Sequence, residues 1–240
     1  YGVTLSLETL TFSNFAEVLF RQSVTARAFL NSTLVAATAA VLLACCAMLV
    51  ARYAAARQRG LRNLGTGMSA VAEMTYAIPG LVISVSFILA FIKPLRLVGI
   101  SIYNTLWIIL LAYLCAFFAV ALKPVTAATL QLDPALEEAA RTAGAGYMRR
   151  LVQITFPLVL PAAVSGAILV FLTAYNEVTV SALLWSSGAE TIGTTIFNYE
   201  DGGYTTLASA MSAVTVIATI FLMGALDWMG RRAAPGVVPW

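Results

Sequence analysis

The sequence predicts an all-α protein, a polytopic bundle of transmembrane helices. Of its 240 residues, 60% are hydrophobic and only 10% are charged, and the mean hydropathy is +0.89. A soluble domain carries roughly 25% charged residues. Several uncharged apolar runs also reach the length of about 20 residues that crosses the hydrocarbon core of a bilayer. These observations place the chain in a membrane.

Five spans are predicted from the uncharged runs. They cover residues 28–50, 74–92, 97–122, 151–176 with a possible extension to 185, and 202–226. The loops after the first and third spans, with the C-terminal tail, hold ten Lys and Arg residues, whereas the opposite flanks hold four. Because Lys and Arg concentrate in cytoplasmic loops, the richer face is predicted to be cytoplasmic, with the C-terminus inside.

The domain organisation follows from this topology. Residues 1–26 are predicted to be an external segment whose stretch 7–20 forms an interfacial helix, because its aromatic and apolar residues recur at roughly helical spacing. Residues 27–230 form a single transmembrane domain, and residues 231–240 a cytoplasmic tail. The chain begins with Tyr1, and its first residues are already external. We therefore expect at least one transmembrane helix to precede it in a longer protein.

Composition also excludes several function classes. The chain has no histidine, and its net charge of +3 is too small to indicate nucleic-acid binding. Three cysteines lie in apolar runs without ligand-like spacing and are interpreted as small packing residues. Aspartate occurs only at positions 133, 201 and 227, so neither a nucleophile with its base nor a pair of facing aspartates is available. No catalytic residue and no metal site is predicted.

The loop 123–157 is the most polar stretch of the predicted cytoplasmic face. Asp133 followed by Pro134 is typical of a helix start. Glu137 then lies near the positive end of the helix dipole and precedes Arg141 by four residues, the favourable order for an ion pair. Gly144 predicts a sharp turn. The loop is therefore predicted to be a short surface helix that turns into the fourth span.

The segment "EAARTAGAGYMRRLVQITFP" (138–157) resembles the EAA loop of binding-protein-dependent ABC importer permeases. The family pattern is E-A-A, three residues, G, nine residues, I, any residue, L-P, and Phe156 stands here in place of the Leu. The matching positions are Glu138, Ala139, Ala140, Gly144, Ile154 and Pro157. Six positions in register over twenty residues make the resemblance specific.

Two further segments are similar to the same family. "AIPGLVISVSF" (77–87) resembles its Pro-Gly span, where Pro79 and Gly80 are expected to kink the helix. The stretch "FLTAYNEVTVSALLWSSGAETIGTTIF" (171–197) resembles the second half of fused ferric-iron permeases. The resemblance covers about residues 10–230 and implies the MetI-like fold of type I permeases, with a cytoplasmic coupling helix.

The resemblance implies a permease subunit of a bacterial inner (plasma) membrane importer. The coupling helix would dock on a cytoplasmic ABC ATPase dimer, with Glu138 pairing with a basic group there and Gly144 allowing the turn. Glu137 and Arg141 are also expected to take part in coupling to the ATPase. The sequence contains no G-x-x-x-x-G-K-[ST], so the chain itself binds no cofactor, and ATP and magnesium would be bound by the ATPase. The other implied partners are a periplasmic or extracellular substrate-binding protein, a second permease half, fused or homologous, and membrane lipid.

The resemblance favours ferric iron as the substrate, with polyamine, thiamine, sulfate or aminophosphonate as alternatives. Thr173, Asn176, Glu177 and Ser181 are predicted to share a helix face and to line the pathway. Alternatively, Glu177 only joins two helices by hydrogen bonds. The external loop 186–206, with Glu190 and its other acidic and aromatic residues, either contacts the binding protein or is a solvated re-entrant turn.

Two other functions stay open on the sequence alone. The first is an ion- or proton-coupled carrier using Glu73 and Glu177 as relays, although Glu73 lies near the cytoplasmic end of its span and is interpreted as structural. The second is a helper subunit without a pathway, in which Glu177 would tolerate any substitution.

Overall fold

A computed structural model describes residues 11–56, 59–94, 99 and 101–233. These residues form helices and connecting turns, without a β-strand among them. The first half contains α1 (Ser13–Ala16, continued by a π-helical turn, Glu17–Arg21), α2 (Ser23–Ala54), α3 (Arg59–Tyr76), α4 (Gly80–Phe91) and α5 (Leu106–Leu130). The second half contains α6 (Pro134–Thr142), α7 (Tyr147–Arg150), a π-helical turn (Leu151–Thr155), α8 (Phe156–Tyr175), α9 (Ser181–Leu184), α10 (Ile192–Asp201) and α11 (Thr205–Ala233).

The prediction of an all-α membrane bundle is confirmed. Four of the described helices are long and apolar enough to cross a membrane, namely Ser23–Ala54, Leu106–Leu130, Tyr147–Tyr175 and Thr205–Leu226. α3 and α4 pass the same test only as a pair, which brings the number to five if the pair is one span. The fourth span runs through α7, the π-helical turn and α8.

The core consists of α2, α5 and α8, which pack along one another. The face of α2 that they cover is rich in alanine, and Ala36, Ala39 and Ala47 are completely buried. Small residues let helices in a membrane approach closely and gain van der Waals contact. Gly166 of α8 shows the same effect, because a Cβ there would lie 2.9 Å from the carbonyl oxygen of Ala121 on α5.

The three cysteines do not pack inside the bundle. Cys45, Cys46 and Cys115 are exposed at the surface of the chain, so their interpretation as packing residues is wrong. Apolar runs place a residue in the membrane, but they do not distinguish a core face from a lipid-facing one.

The second span is not a straight helix over residues 74–92. α3 ends at Tyr76 and α4 begins at Gly80, and the two axes differ by 106°. Pro79 is the N-cap residue of α4 and has an extended ψ of 138°. Gly80 fits at the break because a Cβ at this position would overlap the side chain of Thr179.

The third span differs from its predicted range at both ends. It begins at Leu106 rather than residue 97, after a turn in which Asn104 has φ of +62°. It then continues through Lys123 and Pro124 to Leu130, so the loop predicted to be cytoplasmic begins eight residues later than predicted. The flanking residues Leu122 and Val125 are buried, and their packing outweighs the helix-ending signal of a proline.

The ends of the chain also depart from the predicted boundaries. The predicted interfacial helix 7–20 is described only from residue 11, where α1 and its π-helical turn follow, and its earlier part lies outside the described residues. α11 continues to Ala233, beyond the predicted start of the tail at residue 231. Residues 234–240 of that tail also lie outside the described part.

Candidate functional site: the cytoplasmic loop and the polar helix breaks

The helix at the centre of the cytoplasmic loop begins where the sequence predicts. Asp133 is the N-cap of α6, and its Oδ1 accepts a hydrogen bond from the backbone N–H of Ala135 at 2.8 Å. Pro134 occupies the first turn, where the missing N–H has no helical partner to lose. Only three residues separate the start of α6 from the end of α5 at Leu130.

A glycine turn ends α6 and starts the next helix. Gly144 has φ of +81°, a left-handed conformation that residues with a Cβ rarely adopt. The N–H of Ala145 donates to the carbonyl of Ala140 at 3.0 Å, which closes the turn. Arg150 of α7 donates from Nη1 to the carbonyl of Ala145 at 2.7 Å. The turn thus has a fixed geometry held by the helix that follows it.

Glu137 anchors the middle of α6 to two other helices. Its Oε1 lies 2.6 Å from Nη2 of Arg52 at the cytoplasmic end of α2 and 3.8 Å from Nε of Arg150. The guanidinium carbon of Arg52 also lies 6.0 Å from the ring centroid of Tyr147. The predicted partner of Glu137 was Arg141 on the same helix, whereas these contacts come from outside it. The anchor therefore ties the loop to α2 and to the start of the fourth span.

A cavity of about 350 Å³ separates α6 from the end of α2. Arg52, Glu137, Arg141 and Arg150 contribute to its walls, together with Ile154 of the π-helical turn. Arg52 and Arg150 are only 18% and 16% exposed. The hydrogen bond from Arg52 to Glu137 is charge-assisted and therefore stronger than a neutral one, while Arg150 adds a longer ion-pair contact.

The outer side of the loop is exposed and carries apolar side chains. Glu138, Ala139 and Gly144 are exposed, whereas Ala140 is half-buried. Pro157 is exposed in the first turn of α8. Leu136 and Met148 are 47% and 67% exposed. Exposed apolar side chains around a small-residue helix are typical of a surface that binds another protein.

The predicted pathway face does not lie on one helix. α8 ends at Tyr175, so Ser181 belongs to the separate helix α9, and the possible extension of the fourth span to residue 185 is wrong. Both oxygens of Glu177 accept hydrogen bonds. They come from Thr179 Oγ1 at 2.7 Å and from the backbone N–H groups of Val180 and Ser181 at 2.6 and 3.1 Å. The carboxylate therefore caps the start of α9.

The remaining polar residues of the proposed face have contacts of their own. Asn176 accepts a hydrogen bond from Thr219 Oγ1 of α11 at 3.1 Å, which joins α8 to the last helix. Thr173 donates to the carbonyl of Leu169 in its own helix. Ser181 is completely buried. These side chains hold the chain together at the end of α8.

The two helix breaks are in direct contact. Ser84 of α4 donates to the carbonyl of Val180 at 2.7 Å, and Gly80 packs against Thr179. Tyr113 of α5 is also buried here, with 1% of its surface exposed, and its hydroxyl has no hydrogen-bond partner among the described residues. The break between α3 and α4 and the break between α8 and α9 thus form one polar region.

The predicted acidic surface of the external loop does not include Glu190. Glu190 is 6% exposed, lies 3.5 Å from Arg27 and accepts a hydrogen bond from the Gly188 N–H at 3.0 Å. Burial alone would raise the pKa of this carboxyl, but the Gly188 N–H and Arg27 outweigh it and lower the pKa. Asn31 of α2 donates to the carbonyls of Gly188 and Glu190. The loop is therefore fixed to the N-terminal part of α2.

Glu200, Asp201 and Tyr204 of the same loop are exposed and can contact a partner. No group of three His, Cys, Asp or Glu side chains with the geometry of a metal site occurs among the described residues.

Sequence reasoning missed the two arginines that anchor the loop and the asparagine that fixes the external loop. In the sequence, Arg52 contributed only to the count of Lys and Arg residues on the predicted cytoplasmic face. Nothing in the sequence indicates that it pairs with Glu137, which lies 85 positions away. Asn31 lies in an uncharged apolar run. A polar residue near the end of a span was the one sign in the sequence that this position contacts another polar segment.

Comparison with known proteins identifies similar chains. A family model described as binding-protein-dependent transport system inner membrane component matches residues 47–238. A Salmonella paratyphi A protein named for 2-aminoethylphosphonate transport is 28% identical over 179 residues, which are 74% of this chain and 65% of the relative. The ferric transport system permease protein FbpB of Actinobacillus pleuropneumoniae is 29% identical over 92% of this chain and 31% of its own length. The putrescine transport system permease protein PotI of Escherichia coli is 26% identical over 80% of this chain and 66% of its own length. The chain thus spans less than two thirds of these relatives.

Solved structures share the fold. A bacterial alginate ABC transporter contains a chain with a TM-score of 0.75 at 15% identity, covering 94% of this chain and 84% of that one. The MetNI methionine ABC transporter in an inward-facing conformation gives a TM-score of 0.66 at 23% identity, with coverages of 87% and 95%. The helical arrangement described above is therefore that of ABC transporter permeases.

Proposed function

The chain belongs to the family of binding-protein-dependent transport system inner membrane components, and from this membership we propose that it couples ATP hydrolysis on a partner to solute import. In this proposal it forms half of the substrate pathway and transmits movement through α6. A second permease half, fused or homologous, forms the rest of the pathway. The observation that carries the proposal is the Glu137 anchor, which makes α6 part of the membrane bundle.

The loop geometry suits a lever. α6 is connected to α5 by three residues at its start, to α8 by the Gly144 turn and α7 at its end, and to α2 by Arg52 in its middle. A displacement of α6 is thereby passed to the three helices of the core. A loop held at one point would instead bend, and the movement would be lost.

The outer face of α6 is the proposed contact with a cytoplasmic ABC ATPase dimer. Glu138 and Ala139 are exposed there, with Ala140 half-buried beside them, and Gly144 keeps the following turn narrow. The absence of a phosphate-binding G-x-x-x-x-G-K-[ST] motif from the sequence supports ATP and magnesium being bound by that partner. The chain itself then performs no covalent chemistry.

The external side is the proposed contact with a substrate-loaded binding protein. The loop fixed by Asn31 and Glu190 presents Glu200, Asp201 and Tyr204 at the surface. A rigid loop loses less conformational freedom on binding than a mobile one. In this orientation the C-terminus is cytoplasmic, as the distribution of Lys and Arg indicates.

The proposed substrate is a small charged solute, with ferric iron as the first candidate. The relatives are named for ferric iron, 2-aminoethylphosphonate and putrescine, all of which are hydrophilic and charged. A secondary carrier using Glu73 and Glu177 is less favoured, because both oxygens of Glu177 are occupied in capping α9.

Reconstitution tests the proposal. The full-length permease, its cognate ATPase and its binding protein are placed in proteoliposomes, and uptake of ferric iron, putrescine and 2-aminoethylphosphonate is measured with ATP supplied on the ATPase side. The proposal predicts uptake of one of them that requires ATP and the binding protein. Uptake driven by an ion gradient without ATP would contradict it. A topology reporter fused after residue 233 separately checks the cytoplasmic C-terminus.

A further inference from the structure

The helix α3 carries two exposed stripes of opposite character. Polar side chains recur at helical spacing along one stripe, namely Arg62, Thr66, Ser69, Glu73 and Tyr76. The other exposed stripe is apolar and includes Leu64, Met68 and Val71, which are 64%, 49% and 63% exposed. Gly65 and Ala72 lie on the buried side. α3 therefore has one packed face, one apolar exposed face and one polar exposed face.

Each exposed stripe borders a different cavity against α5. On the apolar side, Met68 and Val71 face Leu114, Cys115 and Phe118 across a cavity of about 510 Å³. On the polar side, a cavity of about 270 Å³ is lined by residues of α3 and α5. Its polar lining residues are Ser69, Glu73, Lys123 and Thr126.

The polar cavity lies at the depth of the hydrocarbon core. Trp107, 64% exposed at the external end of α5, is typical of a membrane interface. Lys123 follows sixteen residues later, which is about 24 Å along a helix and less than the roughly 30 Å thickness of the core. Glu73 borders the same cavity. Both charges thus lie inside the bilayer, in its cytoplasmic half.

No ion pair neutralises either charge among the residues that the structure describes. Glu73 is exposed and has no ion pair or side-chain hydrogen bond among the described residues. The ammonium of Lys123 lies 5.9 Å from the ring centroid of Tyr76. Thr126 Oγ1 is buried without a hydrogen-bond partner in the described part of the chain. A charge at the bilayer centre costs about 2.5–3.5 kcal/mol on insertion scales, and less nearer the interface, so a lipid-facing position in the cytoplasmic half is still unfavourable for the Glu73 carboxylate.

We propose that the polar stripe of α3, with Lys123 and Thr126 of α5, lines the cytoplasmic half of an aqueous translocation pathway, and that the apolar stripe faces lipid. This inference rests on the proposed importer function. Water and the passing solute supply the hydrogen bonds that Glu73 and Thr126 lack among the described residues. Arg62 extends the same stripe toward the cytoplasmic end of α3, where the solute leaves.

Thiol labelling distinguishes the two faces. Cys45, Cys46 and Cys115 are first replaced by alanine, because all three are exposed. Single variants Ser69→Cys and Glu73→Cys probe the polar stripe, and Met68→Cys and Val71→Cys are matched controls on the same helix. The complete importer is assembled in inside-out vesicles and treated with a charged, membrane-impermeant maleimide.

The polar-stripe thiols are expected to react roughly tenfold faster or more than the controls, because the thiolate is the reacting species and an apolar environment suppresses it. Equal rates at Glu73→Cys and Val71→Cys would overturn the inference. Slow labelling combined with cross-linking of Ser69→Cys to the second permease half would also overturn it, since that face would then be a protein interface.

Uptake by the cysteine-free parent separates this inference from the proposed function. ATP-driven uptake with equal labelling on both faces contradicts only the aqueous stripe. A labelling contrast without ATP-driven uptake supports the aqueous stripe and contradicts the importer function.

Discussion

Nη2 of Arg52 lies 2.6 Å from Oε1 of Glu137, and this contact joins the end of the first long helix to the middle of the cytoplasmic loop. The two residues are 85 positions apart in the chain. The Glu137 side chain is 43% exposed, whereas that of Arg52 is only 18% exposed. The contact fixes α6 to the bundle and leaves the outer face of α6 exposed.

Replacing Arg52 with alanine should loosen α6 and weaken coupling. Hydrogen bonds to charged groups contribute about 1.5–3 kcal/mol, and the partial exposure of Glu137 favours the lower end of this range. We expect a lower thermal stability and fewer solute molecules imported per ATP hydrolysed, measured in proteoliposomes. Glu137→Ala should have the same effect, and the double variant should lose little more than either single variant. Arg149→Ala is the control, because exposed Arg149 bonds only to Gln153 among the described residues.

Gly144→Ala should destabilise the loop turn, whereas Gly146→Ala should not. Gly144 has φ of +81°, and the left-handed conformation costs a residue with a Cβ roughly 1–2 kcal/mol. Gly146 has φ of −63°, and no atom lies near the position of a Cβ at either glycine. Proteolysis of the loop in the assembled complex measures the difference. Equal protease resistance of the two variants would contradict a strain confined to Gly144.

Glu177→Leu should destabilise the junction of α8 and α9. Three hydrogen bonds to the carboxylate would be lost, and the loss of a helix cap costs about 0.5–2 kcal/mol. Thermal unfolding of the purified protein should show the decrease, with exposed Glu200→Gln as the control. Glu177→Gln keeps an oxygen acceptor and should recover part of the stability. Full stability with lost uptake in Glu177→Gln would instead indicate a direct role in the pathway.

The hydrogen bond from the Gly188 N–H to Glu190, together with the contact between Glu190 and Arg27, should make this loop sensitive to acid. The pKa of Glu190 is lowered in the folded protein, so the unfolded chain binds its proton at a higher pH than the folded chain does. The stabilisation is therefore complete above the ordinary glutamate pKa of about 4.3 and is lost as the pH falls through the lower folded value. Glu190→Gln should remove this part of the pH dependence of thermal unfolding. An unchanged profile would show that other carboxylates cause it.

Local signals in the sequence predicted the parts of the site that depend on neighbouring residues. Asp133 and Pro134 mark the start of α6 because capping uses residues two or three positions apart. Pro79 marks the break before α4 in the same way. In each case the backbone chemistry of a few adjacent residues is sufficient to predict where the helix begins.

The contacts that hold the site together were not predictable in this way. The partner of Glu137 is distant Arg52 rather than Arg141, because the fold brings the end of α2 within reach of the Glu137 carboxylate. The prediction of one continuous helix face through Ser181 was wrong, because Glu177 caps a new helix instead of extending α8. Helical periodicity cannot reveal where a polar side chain replaces a backbone partner.

The central claim is that α6 transmits the movement of a partner ATPase to the bundle, and the ratio of solute imported to ATP hydrolysed by a Gly144→Arg complex tests it most directly. An arginine at a left-handed position in the proposed ATPase interface should cost about 2 kcal/mol or more, roughly thirtyfold in an equilibrium constant. We expect the variant still to insert into the membrane, while import per ATP falls strongly relative to the unsubstituted complex. Normal uptake with normal ATP consumption by the Gly144→Arg complex would contradict the coupling role of this loop.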